Sequence, residues 1–302
     1  MEEGSAYHLP VLLQEVITNL QIRPDGVYVD ATFGGGGHSR AILEQLNENG
    51  RLVVFDQDED AYANRIDDPR VTFVQQNFRH MQRFLKLYKS VPVDGILADL
   101  GVSSWQFDTA ERGFSTRFDG DLDMRMDKRA TQTAAALLQS STEKELHLIF
   151  QEYGEVTNAR TLAKIIVQER KARPMRTISE FKSVIQPIVK GNPQKYLAQV
   201  FQALRIAVND ELGALKDILT QSAEVLKPGG KLAIITFHSL EDRLVKNFMK
   251  TGQFEVQDDT FSFETPPKLF RLVTKKPVTA SPEELKRNTR SRSAKLRVAE
   301  KL

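Results

Sequence analysis

The 302-residue sequence contains no cysteine. That absence removes disulfide frameworks, thiolate zinc sites and a cysteine nucleophile together, and it fits a reducing compartment. Long apolar runs are missing as well: the longest strongly apolar one, Leu232 to Phe237, is far too short to cross a bilayer. The opening residues MEEGSAYHLP carry acids where a secretory signal needs bases. A cytoplasmic protein with no membrane partner is the expectation. There is no internal repeat, and the one biased stretch is the Arg/Ser-rich Arg287 to Lys295, where disorder is one reading. What is present is an ordinary globular composition, 40% hydrophobic and 27% charged, in a chain long enough for two domains or one large one.

The formal charge is nearly balanced at +2, yet it is segregated. Lys268 to Leu302 holds eleven Lys or Arg against three Glu, net +8, which leaves the preceding residues at net −6. A basic tail attracts polyanions such as RNA through counterion release, and it serves equally as plain solvated surface. Arg160 to Arg176, with six Lys or Arg against one Glu, admits the same two readings.

Short β-rich runs alternate with amphipathic stretches over the first hundred residues, the pattern of β-α-β units around a mostly parallel sheet. Val27 to Thr32, Arg51 to Asp56, Val71 to Gln76 and Asp94 to Asp99 read as strands, with helices near Ser39 to Leu46, Glu59 to Arg65 and Phe78 to Lys89. After Asp99 helical periodicity takes over: Ala134 to Leu138, Glu143 to Glu152, Asn158 to Lys171 and Ser179 to Val189. One long helical pattern runs from Lys195 to Leu226 and stops at the turn signal Lys227-Pro228-Gly229-Gly230. Lys231 to Phe237 then returns to strand, Leu240 to Met249 to helix, and Phe270 to Thr274 is a further strand candidate. Neither flank of the helical block completes a sheet alone. The expectation is therefore a discontinuous α/β domain, 1–110 with 213–302, carrying an inserted all-helical domain, 111–212.

The first strand runs into Asp30-Ala31-Thr32-Phe33-Gly34-Gly35-Gly36-Gly37-His38-Ser39 and then directly into a helix. A turn needs one or two glycines; four at a strand-to-helix junction let backbone approach a ligand at the helix N-terminus. Asp56 ends the second strand, twenty residues after Gly36, where an acid can accept both hydroxyls of a ribose. Its neighbours Asp58, Glu59 and Asp60 also permit a solvated carboxylate or a helix cap. Phe78 follows the third strand, placed either to wall off an adenine or to join the core, and Asp99 ends the fourth, placed either to accept from an amine or to cap a loop. In an open parallel sheet all four loops leave by the same edge, so Gly36, Asp56, Phe78 and Asp99 are expected to line one crevice.

Further along, Phe237-His238-Ser239-Leu240-Glu241-Asp242-Arg243 follows the last clear strand. Either His238 or Ser239 touches a substrate base and Arg243 a phosphate, or Ser239 caps the next helix with Asp242 at the third position. Asp123-Met124-Arg125-Met126-Asp127 mixes charge with methionine and reads as an interdomain latch or a substrate contact. No zinc constellation and no Ser-His-Asp order are apparent, so neither a metal nor a covalent nucleophile is expected.

With those residues placed, the sequence resembles the RsmH (MraW) family of bacterial methyltransferases. The resemblance is carried by His8-Leu9-Pro10-Val11-Leu12-Leu13, the glycine loop, Asp94 to Ser104, Glu111-Arg112-Gly113-Phe114-Ser115, Leu122 to Asp127, Tyr153-Gly154-Glu155, Phe201 to Leu212, Phe237 to Arg243 and Arg292 to Arg297. So many blocks in order cover almost the whole chain. The resemblance implies a Rossmann-like S-adenosylmethionine-dependent methyltransferase fold and methylation of a cytidine N4 amine in the decoding region of 16S rRNA, in the small ribosomal subunit of a bacterial cytoplasm. It places the donor site on Gly36, Gly37, His38, Asp56, Phe78, Asp99 and Gln106, the last selected by resemblance alone. Two departures stand out: Trp105, the only tryptophan, where the family usually has proline, and a segment Thr251 to Pro267 that lacks a proline- and glycine-rich stretch.

An exocyclic cytosine amine is a weak nucleophile because its lone pair is delocalised into the ring. The chemistry implied is therefore mostly positioning, exclusion of water, and acceptance of a hydrogen bond as charge develops on nitrogen. Asp99 is the candidate acceptor, with His238 and Ser239 as candidate contacts to the base. Three rivals remain at this level: a nicotinamide-dependent oxidoreductase using the same loop and acid, a non-catalytic RNA-binding ribosome assembly factor, and a methyltransferase acting on DNA or a small molecule. Monomer and homodimer are both open.

Overall fold

The computed structural model describes residues 10–255 and 268–302, so His8 and most of the altered segment at 251–267 lie outside the described residues. Among the described residues seven strands form one sheet: β1 (Val27–Asp30), β2 (Arg51–Phe55), β3 (Val71–Val74), β4 (Val93–Asp99), β5 (Leu226–Thr236), β6 (Phe270–Leu272) and β7 (Lys295–Lys301). Their order is β3-β2-β1-β4-β5-β7-β6. The first five are parallel, and β7 runs antiparallel between β5 and β6. This is an α/β, Rossmann-like sheet whose chain order reverses between β1 and β4, the place where such folds open a ligand crevice.

The strands read as continuous apolar runs because both faces are covered. On one face Val29, Val53, Phe55, Ile96, Ala98, Leu232 and Ile234 share a core with Met81, Leu85, Ile218, Leu219, Val245 and Phe248. Their sequence neighbours Tyr28, Leu52, Val54, Leu97, Ala233 and Ile235 turn to the other face and pack with Val16, Leu20, Ile42 and Leu43. The period of two thus divides one strand between two cores. Phe55 is fully buried, and Phe55→Ala would cost about 3–5 kcal/mol.

By internal contacts the chain divides into Met1–Gly101 with Leu212–Leu302, and Val102–Glu211. The second unit is helical: Ser104–Asp108, Ala134–Ser140, Glu143–Glu152, Ala159–Glu169, Ile178–Ile185 and Pro193–Asn209. Phe150, Leu162, Ile166, Phe181, Val200 and Leu204 form its core. Capping boxes start three of these helices, Ser103 with Gln106, Thr142 with Glu145 and Thr177 with Glu180. The Asp123 to Asp127 segment is internal bracing for this unit: Met124 and Met126 enter its core, and Arg125 grips the Asp123 carboxylate at 2.6 and 2.7 Å.

Three expectations are corrected. The helical pattern of 195–226 is two helices, Pro193–Asn209 and Glu211–Val225, broken at Asp210 in the left-handed region (φ 46°). Asn209 is diverted into tertiary bonds, donating to the Met124 carbonyl at 2.7 Å and accepting from the Met126 amide at 2.7 Å. The Lys227 to Gly230 turn lies within β5, as a bulge against β4 between the pairings Val93 with Leu226 and Gly95 with Lys231. Finally, the basic tail is largely folded: Pro282–Arg287 is helical, Thr289–Ser293 is a 3-10 turn with Ser291 buried, and β7 is an interior strand. Arg297 is spent on Asp242, and Lys231 and Arg271 both pair with Glu300.

Candidate active site

The parallel strands end at a common edge, and each delivers a polar residue there. At the end of β1, Asp30 is buried; its Oδ2 accepts from the Ser39 hydroxyl at 2.6 Å and its Oδ1 from the Thr32 amide at 3.1 Å. Burial pushes its pKa up. The chain then turns through the glycines. Gly36 has φ +76°, and a Cβ there would lie 2.8 Å from the Phe33 ring, whereas one on Gly35 would meet nothing within 4 Å. Gly37 opens the helix Gly37–Leu43 and leaves no room for a side chain, since its Cβ would stand 2.3 Å from Pro10 Cγ. Only a backbone this bare turns so tightly while keeping one side open.

Asp56 follows β2 and is tied to that loop. Its Oδ2 accepts from the Gly34 amide at 2.8 Å and its Oδ1 from the Asp58 amide at 2.9 Å. Each oxygen keeps a further lone pair, so the carboxylate can still accept from a diol. Desolvation raises its pKa to about 6. After β3, Asn77 caps the 3-10 turn Phe78–His80 and donates to Gln57 Oε1 at 2.8 Å, which ties the third loop to the second. Phe78 is half-buried and packs on the sheet core, with part of its ring accessible.

Asp99 ends β4 with its amide held by Thr32 Oγ1 at 2.7 Å. Its side chain serves no fold contact of comparable strength: Oδ2 lies 3.8 Å from His38 Nδ1, and Oδ1 is buried with no hydrogen-bond partner among the described residues. Burial, then Asp30 and Glu241, drive its pKa well above the usual carboxylate range. A buried acceptor without a donor is costly, and it matches a ligand N–H that completes it. His38 is itself buried, with Nε2 on the Val11 carbonyl at 3.0 Å.

Past β5 the expected roles shift. His238, rather than Ser239, caps the helix Ser239–Thr251, through Nδ1 and the Glu241 amide at 3.4 Å. Glu241 answers by accepting from the Phe237 amide at 2.9 Å, and its Oε1 lies 3.2 Å from His238 Nε2. Asp242 turns away to Arg297 at 2.6 Å. Ser239 is exposed at the first helical position. Gln106 belongs to the helical unit, where it is buried and its Oε1 accepts from the Ser103 amide at 3.0 Å in a capping box. Sequence reasoning passed over Asp30 and Glu241. An acid at a strand end before the glycines was a readable signal for Asp30. Glu241 was obscured because histidine is an unusual cap.

A mostly parallel sheet with this order, a glycine turn after β1, an acid after β2 and a carboxylate with one unpartnered oxygen after β4 form the frame of an α/β enzyme of the methyltransferase class. The chain belongs to the MraW methylase family, whose sequence pattern matches residues 5–302. It is 54% identical over 303 residues to the ribosomal RNA small subunit methyltransferase H of Parabacteroides distasonis, covering 100% of this chain and 99% of the relative. It is 50% identical over 297 residues to the protein of that name from Flavobacterium johnsoniae, covering 98% of each. Among solved structures, a methyltransferase from Streptococcus mutans in complex with SAH aligns over 98% of this chain and 100% of that one, at 13% identity and TM-score 0.42, too distant to inform the site. Membership in a methylase family removes the nicotinamide oxidoreductase reading. Among the described residues no helix is long and apolar enough to cross a membrane.

Proposed function

We propose that this chain transfers a methyl group from S-adenosylmethionine to the N4 amine of a cytidine in bacterial small-subunit ribosomal RNA, in the cytoplasm, with residues 102–211 taking part in substrate recognition. The observation that carries the reading is the buried, unpartnered Oδ1 of Asp99 at the sheet's switch point, beside the glycine turn and Asp56. When bound, S-adenosylmethionine supplies an electrophilic methyl on sulfur. The chain's own residues do the rest.

Asp56 accepts the ribose hydroxyls, Gly36 and Gly37 bring backbone close, and Phe78 walls the base. His38 borders the Asp99 carboxyl, with Nδ1 3.8 Å from Oδ2. Asp99 accepts an N–H from the amine of donor or substrate, which orients it and compensates charge as the N–C bond forms and the S–CH₃ bond breaks, its electron pair leaving with sulfur as a neutral thioether. No strong base is needed, because the methylated amine is acidic enough to lose its proton to water. His238 and Glu241 fix the start of the helix Ser239–Thr251, and Ser239, exposed at its first turn, contacts the base.

The test is turnover. Purified protein with methyl-labelled S-adenosylmethionine should label small-subunit RNA from cells lacking the enzyme, and mass mapping should place one methyl on a cytidine N4. Tight donor binding with no transfer to RNA or to the small subunit would instead support the non-catalytic assembly factor.

A further inference from the structure

Outside the sheet edge, the helical unit holds a cavity of about 570 Å³, lined by Ala135, Ala136, Leu138, Gln139, Arg170, Lys171, Pro174, Met175 and Arg176. Its floor is apolar, with Leu138 and Met175 buried. Its charged residues are all cations. Arg170 spends Nη1 on the carbonyls of Leu138 (2.9 Å) and Ser141 (2.6 Å), which fixes the guanidinium while its other nitrogens find no partner among the described residues. Lys171 and Arg176 are exposed, and neither side chain is paired with an acid among the described residues. Arg173, the remaining cation of the segment, pairs with Glu169 at 3.3 Å and does not line the cavity.

The supporting backbone is hydrogen-bonded. The Arg170, Ala172 and Arg173 amides close the helix end on Ile166 and Glu169 carbonyls, at 3.0, 2.9 and 2.8 Å. Arg176 is held on both sides: its amide donates to Glu180 Oε2 at 2.8 Å, and its carbonyl accepts from the Leu122 amide at 2.7 Å. Three cations held on fixed backbone around an apolar floor match an anion joined to a flat apolar group. The volume falls within the range of about 300–1,000 Å³ usual for small-molecule sites. An unstacked nucleotide has that chemistry: its phosphate meets Lys171 and Arg176, its base lies over the exposed Ala136 and Pro174, and Gln139 at the rim offers donor and acceptor to a base edge.

We infer that this cavity is a second RNA-binding site, which takes one unstacked nucleotide of the substrate strand away from the reacting cytidine. The inference rests on the RNA-methylating reading and deepens it by naming where the strand is gripped.

The test uses the full chain with purified unmethylated small-subunit RNA. The double charge reversal Lys171→Glu with Arg176→Glu should raise KM for RNA at least tenfold while leaving kcat and S-adenosylmethionine affinity within twofold. Each lost phosphate contact should flatten the plot of log affinity against log salt by about 0.7 for a single strand. The neutral pair Lys171→Gln with Arg176→Gln should move both readouts in the same direction by less, which guards against misfolding of the reversal. Unchanged KM and salt slope in both variants, or a fall in kcat alone, would overturn the site. A free mononucleotide that binds the wild type as tightly as RNA, and is lost in the variants, would also overturn it, as an effector site. Absence of methyl transfer in the wild type would count against the functional reading, while direct RNA binding measured by anisotropy would still decide the cavity.

Discussion

His38 Nδ1 faces Asp99 Oδ2 at 3.8 Å while His38 Nε2 sits 3.0 Å from the Val11 carbonyl oxygen. A carbonyl can only accept, so Nε2 carries the hydrogen, and a neutral His38 presents a lone pair towards the carboxyl group. Burial lowers the His38 pKa and raises that of Asp99. With no ligand amine at Asp99, a proton on the carboxyl relieves the two facing acceptors. A cationic amine arriving at Asp99 reverses the preference and expels that proton. Donor binding at pH 7 should release up to one proton, read as a dependence of calorimetric enthalpy on the buffer's ionisation heat. Asp99→Asn should abolish that dependence; equal proton release by the variant would assign the proton elsewhere.

The same carboxylate separates stability from activity. Its amide, not its side chain, is what the fold uses, and a buried acceptor lacking a donor costs about 1–3 kcal/mol. Asp99→Ala is expected to lower kcat by at least about 10²-fold with Tm unchanged or raised. A variant that melts early yet turns over normally would make Asp99 a structural residue.

Asp56 gives a second pH dependence, with burial again its largest cause. Its pKa is raised to about 6 by burial, so the proportion carrying a proton grows as pH falls through that value. The protonated form has lost acceptor capacity for a diol. Donor affinity should be flat above about pH 7 and weaken by up to about tenfold per unit below 6, and Asp56→Asn should be weak and flat throughout. An affinity in the wild type that held constant down to pH 5 would remove Asp56 from the site.

Local signals were legible, and long-range ones were not. The helix Glu143–Glu152 is readable to the residue because Thr142 and Glu145 form a capping box three positions apart. The glycine turn and Asp56 are readable because a strand end fixes where they point. The break at Asp210 depends on Asn209 reaching Met124 and Met126, 85 and 83 residues away, and nothing within the helical pattern announces it. β7 hid within a net-basic tail: Leu296 and Val298 face one core and Ala299 the other, while the partners of its charged residues lie on other elements, Lys231 and Arg271 for Glu300 and Asp242 for Arg297. His238 and Ser239 exchanged roles for a related reason, since the cap is decided by which side chain meets the Glu241 amide.

The glycines divide into two kinds of expected damage. Gly37→Ala collides with Pro10, so stability should fall and donor binding with it. At Gly36 the φ of +76° costs a side chain about 1–2 kcal/mol, and the Phe33 ring must also move. Gly35→Ala meets open space, so its Tm should hold within a degree or two while donor affinity drops, because the added methyl occupies the open side of the turn. Wild-type affinity in Gly35→Ala would mean that this side faces no ligand.

Arg297 distinguishes a structural tail from an RNA-binding one. It grips both oxygens of Asp242, at 2.6 and 3.1 Å, with each side chain under 15% exposed. Removing one member of a buried pair strands the other, at a cost of about 3–5 kcal/mol, which Lys295, 3.5 Å from Asp242, only partly offsets. Arg297→Ala should therefore lower Tm by several degrees and leave the salt slope of RNA binding unchanged. Arg297→Met with Asp242→Leu should recover much of the stability by filling the space with apolar volume. A flattened salt slope at normal Tm would return this residue, and the strand that carries it, to the RNA interface.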